Sequence, residues 1–129
     1  MKLKIAAFLP LLARTSACPV YAQSAQQLLS ACRPIAKGEV SEEGIKFPRT
    51  YETGLCWGTF AMLQHVIRHV DEDRRPIYAV CAPAESSRGQ LVQVFVKFAE
   101  ASPERLHEDG TRIALESLQR AFPCATKKP

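Results

Sequence analysis

The chain has 129 residues, 47% of them hydrophobic and 23% charged, with a formal net charge of +4 at pH 7. That length holds one small domain. The charge is concentrated at the start: residues 1–22 contain Lys2, Lys4 and Arg14 and no acidic residue. The remaining 107 residues (129 less 22) therefore carry only +1, which argues against nucleic acid or an anionic membrane surface as a partner.

Met1 to Lys4 is a short basic stretch, and Ile5 to Ala13 is an apolar run too short to span a bilayer. Val20-Tyr21-Ala22 then presents small residues at the first and third positions before Gln23. This order reads as a cleavable secretory signal over 1–22, followed by one domain over 23–129. The rival readings are a membrane anchor and a lipoprotein signal with Cys18 lipidated. Thr15-Ser16-Ala17-Cys18 lacks the Leu usual three residues before a lipidated Cys, so cleavage is preferred. The expected location is the periplasm, with no membrane attachment after cleavage.

Four cysteines remain in the domain: Cys32, Cys56, Cys81 and Cys124. An even number in a small exported domain implies two disulfides. A helical core of this size is marginal without such staples, and each is expected to contribute about 3–4 kcal/mol.

Ser24 to Ile35 opens with Ser24 and Gln27 in capping-box spacing, and Ala25, Leu28, Leu29 and Cys32 form its apolar stripe. Pro34 is expected to end this helix. Residues 36–50 read as a polar loop carrying the acidic cluster Glu39, Glu42 and Glu43. A second helix is predicted from about Thr53 to Val70. Cys56, Phe60, Leu63, Ile67 and Val70 form its buried stripe, widened by Thr59, Met62 and Val66. Gly54 and Gly58, one turn apart, suggest close approach by another backbone. Ile77 to Val80 should be extended. A third helix follows Ser87, with Gln90 completing a second capping box. Leu91, Val94, Phe95 and Phe98 share one face, although the Val92, Val94, Val96 and Phe98 alternation also fits a strand. Ser102-Pro103-Glu104 breaks the pattern. A fourth helix runs from Ser102 or Asp109 to Phe122, with Ala114, Leu115, Leu118, Ala121 and Phe122 facing inward.

The predicted fold class is therefore all-α, a small bundle of about four helices arranged as two hairpins. In an antiparallel helix pair the start of one helix lies beside the end of the other. That geometry pairs Cys32 with Cys56 and Cys81 with Cys124, each bond stapling one hairpin.

The chemistry-bearing residues do not form an expected active site. With the cysteines paired, no thiolate nucleophile remains. Cys-x-x-Cys and a Gly-rich phosphate loop are both absent. His65 and His69 share a helix face and could hold a metal ion. Val66, however, stands where a metalloprotease needs Glu, and both histidines equally suit a helix C-terminus. No catalytic residue, cofactor or metal is assigned. Trp57 lies off the buried stripe, on the side of Ala61, Gln64 and Arg68. It reads either as packed on the 36–50 connection or as an aromatic anchor beside Arg68. The partner-binding candidates are Trp57, Arg68, Glu42 and Glu43.

The chain resembles the Rap/Tai-type immunity proteins over most of its length, from Leu28 to Cys124. The resemblance rests on Cys32, Cys56-Trp57-Gly58, Cys81-Ala82-Pro83, Gln90-Leu91-Val92 and Pro103-Glu104-x-x-His107, then Ala114-Leu115 and Ala121-Phe122-Pro123-Cys124. One departure is the turn after Cys56-Trp57-Gly58: the family often has small residues there, and this chain has Thr59, Phe60 and Met62. The resemblance implies an exported helical protein that binds a peptidoglycan amidase effector of type VI secretion and covers its catalytic cleft. It carries over no contact residue, because contacts vary with the toxin. A homodimer stays open. Two other classes remain beside this one. A disulfide-bonded helical stress chaperone, or an orphan interaction module, would fit the same composition. A metal carrier would depend on His65 and His69.

Overall fold

A computed structural model describes residues 23–125, so the signal reading for 1–22 and the lipidation alternative at Cys18 lie outside the described residues. Four α-helices carry the fold: α1 (Ala25–Ala36), α2 (Tyr51–Val66), α3 (Arg88–Glu100) and α4 (Gly110–Ala121). Helix α1 packs against the other three.

Each helix starts at a polar cap that accepts an otherwise unpaired N–H. Ser24 and Gln27 form the box at α1, and Ser87 and Gln90 form the one at α3. Thr50 and Thr53 make an unforeseen third at α2, and Asp109 caps α4 by accepting from the Arg112 N–H. The start of α1 is tied to the start of α4 by three backbone bonds: Ala25 N–H to Glu108 O (2.8 Å), Gln26 N–H to Leu106 O (2.9 Å) and Gly110 N–H to Gln23 O (2.7 Å).

The core is continuous. Leu28, Leu29, Cys32 and Ile35 of α1 meet Cys56, Phe60 and Leu63 of α2. Leu91, Val92, Phe95 and Ala99 of α3, with Ile113, Ala114 and Leu118 of α4, complete it. The Phe60 and Phe95 rings lie 5.7 Å apart at the centre. Both disulfides are present, Cys32–Cys56 and Cys81–Cys124, spanning 24 and 43 residues.

Several expectations need correction. The domain is mostly helical but not all-α. Glu39–Ser41 (β1) and Gly44–Lys46 (β2) form an antiparallel hairpin with Val40 opposite Ile45; the turn is Glu42-Glu43, and Gly44 directly after it has a φ of +120° that suits glycine. The hairpin lay hidden because each strand has three residues and mostly exposed side chains. Pro34 lies inside α1 rather than ending it. So near the C-terminus its missing N–H removes one bond, and the Lys37 N–H still closes onto Arg33 O. Helix α2 starts earlier and stops at Val66, with Ile67 as its cap. Val70 therefore falls beyond the helix, and both it and Met62, which lies on the outer side of α2, are exposed rather than part of the buried stripe. Nothing approaches Gly54 or Gly58: a Cβ on either would meet no atom within 4 Å. Ala121 is exposed where it was expected to face inward. Ile77 and Tyr78 form a turn and Ala79 has a φ of 51°, before a single bridge joins Val80 to Pro123. The alternation in α3 does not make a strand; the Ser87 cap and core contacts at Leu91, Phe95 and Ala99 hold it helical.

Candidate partner-binding surface

The connection between α1 and α2 is built onto α3. Gly38 sits against the carbonyl of Lys46, with no room for a Cβ between them. Ile45 lies over Gly89 at the start of α3, where a Cβ would already touch Ile45 at 3.5 Å. The first approach closes the base of the hairpin on itself and the second sets it beside α3; its acidic tip, Glu42 and Glu43, is exposed.

Trp57 forms the wall between hairpin and helix. It is half-buried, with its ring centroid 5.1 Å from that of Phe47, and the Arg88 guanidinium lies over its ring at 4.8 Å. Gln64 holds Arg88 in place, accepting from its Nε at 3.3 Å while donating to Ser86 O at 3.2 Å. Together they bound a groove of about 640 Å³ with Val40 and Ile45 on one side, Trp57 and Arg88 on the other, and Glu42, Glu43 and Glu85 at its rim.

The sequence candidates therefore divide. Glu42, Glu43 and Trp57 come together on one groove. Arg68 does not join them: about three turns further along, it donates to Ala84 O at 3.4 Å and lines a separate depression of about 390 Å³ beside Cys81. The arginine against Trp57 is Arg88, which sequence reasoning missed. Its position at the start of α3 gave no sign of reaching a tryptophan on α2.

The other charge cluster is structural. Arg105 donates to Glu108 (2.7 Å) and to both oxygens of Glu116 (2.8 Å each), and Arg120 also reaches Glu116. This ties the short 3-10 turn Pro103–Arg105 to α4. The Arg105 hydrogen bonds pull Glu116 down to about 2 and hold Glu108 below the usual carboxylate range. His65 and His69 stack edge to face at 5.2 Å, and His69 Nδ1 faces Val66 O. Among the described residues no group of three His, Cys, Asp or Glu side chains converges to hold a metal ion.

The arrangement offers a surface groove lined by acidic and aromatic side chains. The chain matches the family model of the Rap1a immunity proteins over residues 24–124. It belongs to that family. No curated protein and no solved structure matches it. As a Rap1a immunity protein it neutralises an effector by binding it and is not an enzyme. Its two disulfides fit an oxidising, exported environment, and among the described residues no helix is long and apolar enough to cross a membrane.

Proposed function

We propose that this Rap1a family member acts in the periplasm, after removal of residues 1–22, by capping the catalytic cleft of a peptidoglycan amidase effector delivered by type VI secretion. The observation that carries the contact surface is the groove between hairpin and α3. Its lining includes Glu42, Glu43 and Glu85, and Trp57 is contacted by Phe47 and Arg88. A tryptophan packed before binding loses little entropy on contact, and the carboxylates suit a basic loop on the effector. Arg68 would lie at the margin of that contact.

The test is capture of exported proteins on the oxidised protein, from a strain carrying such effectors. A peptidoglycan amidase should come down at equal stoichiometry and lose activity. The Glu42→Lys, Glu43→Lys double variant should bind it about 10–100-fold more weakly, at an unchanged melting temperature, with most of the loss in on-rate and salt dependence. Trp57→Ala should raise the off-rate. Full inhibition by both variants would remove the groove from the contact. Recovery of no hydrolase at all would remove the amidase.

A further inference from the structure

The clasp that joins α1 to α4 begins at Gln23, the first residue of the domain. Its carbonyl accepts from the Gly110 N–H at 2.7 Å, and a Cβ on Gly110 would come within 2.8 Å of the same oxygen. The next residue is fixed as well. The Ser24 N–H donates to Gln27 Oε1 at 3.0 Å, and the Ser24 hydroxyl accepts from the Gln27 N–H at 3.3 Å. Everything on the carboxyl side of the Gln23 Cα is therefore held. The other side of that atom is not. Gln23 is half-buried at the edge of a depression shared with Gln26 and Gln27. Among the described residues, the side-chain hydrogen bonds of this corner run between Ser24, Gln26, Gln27 and Ser30 and leave the Gln23 amide out.

We infer that Gln23 is a modification site: its α-amine, freed when residues 1–22 are removed, closes on its own side chain to give a neutral five-membered lactam. This rests on the cleavage proposed above and is independent of the effector. The amine nitrogen forms a bond to Cδ, the Cδ–Nε2 bond breaks, and ammonia leaves with one amine proton. No oxidant or cofactor enters. Both reacting groups belong to one residue, so closure avoids the entropic cost of a bimolecular encounter. Glutamine is the amide that allows it, since asparagine would have to close a strained four-membered ring. The atoms that move (Cβ, Cγ, Cδ and the amine) lie on the free side of Cα, so the lactam keeps the Gly110 bond and the Ser24 cap. It also removes an ammonium from just before the positive end of α1. Asp109, bridged to Ser24, already has its carboxylate on the Arg112 N–H at 2.8 Å. A lactam offers an aminopeptidase no primary amine, so it seals the clasp against trimming. Loss of Gln23 and Ser24 would remove the acceptor of the Gly110 N–H and the N-cap of α1.

Intact-mass spectrometry of the full chain after export, incubated for days at neutral pH, tests this. The expected species is residues 23–129, lighter by one ammonia. It should resist N-terminal sequencing until a pyroglutamyl peptidase removes the first residue and exposes Ser24. Gln23→Asn keeps the backbone carbonyl, so it should melt at the same temperature, retain its amine and be read directly by N-terminal sequencing. An aminopeptidase should trim that variant and leave the parent protein intact; equal resistance of the two would overturn the sealing role. A chain that begins at Gln23 and keeps its amine overturns the proposal while leaving the cleavage standing. A chain that begins at any other residue overturns both.

Discussion

The two disulfides do the same covalent work in opposite surroundings. Cys32 and Cys56 are fully buried at the centre of the core, between α1 and α2. Cys81 is exposed and Cys124 half-buried, at the open end of the α3–α4 pair. Chain entropy alone gives the longer 43-residue span a slight advantage, about 4 kcal/mol against about 3.5 for the 24-residue span. Burial should reverse that order. The inner sulfurs fill space that the core would otherwise leave empty, so their removal adds a cavity to the lost cross-link. The outer sulfurs border water and leave no void. Surroundings therefore outweigh loop length when the lengths differ by less than a factor of two.

The largest expected effect tests that order directly. Cys32→Ala with Cys56→Ala should cost about 5–6 kcal/mol, and Cys81→Ala with Cys124→Ala about 4 kcal/mol, both read by urea unfolding. Equal costs, or the reverse order, would return the explanation to chain entropy. Access gives a sharper contrast: under graded reductant, alkylation and mass spectrometry should find Cys81 and Cys124 modified well before Cys32 and Cys56.

A smaller effect separates the halves by pH. The α3–α4 half relies on Arg105, whose bonds lower Glu116 and Glu108 in the folded state. A carboxyl with a depressed folded pKa stabilises the fold above its unfolded value, and that contribution fades as pH falls through the folded one. The melting temperature should therefore drop between pH of about 4.5 and about 2, and Arg105→Ala should flatten that drop. A profile unchanged by Arg105→Ala would mean the cluster is not what acid attacks. The smallest effect belongs to the α1–α2 half. Ser24→Ala removes a cap that accepts from the Gln27 N–H at 3.3 Å and should cost about 1 kcal/mol, without pH dependence.

How much of this was legible varied with the range of the forces. Ser24–Gln27 and Ser87–Gln90 were legible because capping acts over three residues. The α2 start was read late because Thr53, not Glu or Gln, completes its box. The cysteine pairing followed from helix order. The hairpin did not, because its register depends on Ile45 meeting Gly89, forty-four residues away in the chain. Met62 and Val70 fit an apolar period yet face outward, since a period marks a face without saying what covers it. For the surface groove, Glu42, Glu43 and Trp57 were identifiable as residue types. The contact of Arg88 with Trp57 required the packing of α3 on α2, which no local pattern encodes.

The clasp between the start of α1 and the start of α4 bears on when the chain can fold. The N–H groups of Ala25 and Gln26 find their acceptors only at Glu108 and Leu106, and the last core side chains, Ile113 and Leu118, arrive later still. A nascent chain ending before Leu106 lacks both, and one ending before Ile113 still lacks those core side chains, so no shorter length should form a stable nucleus. Such a polypeptide should lock shut only once its last helix has followed.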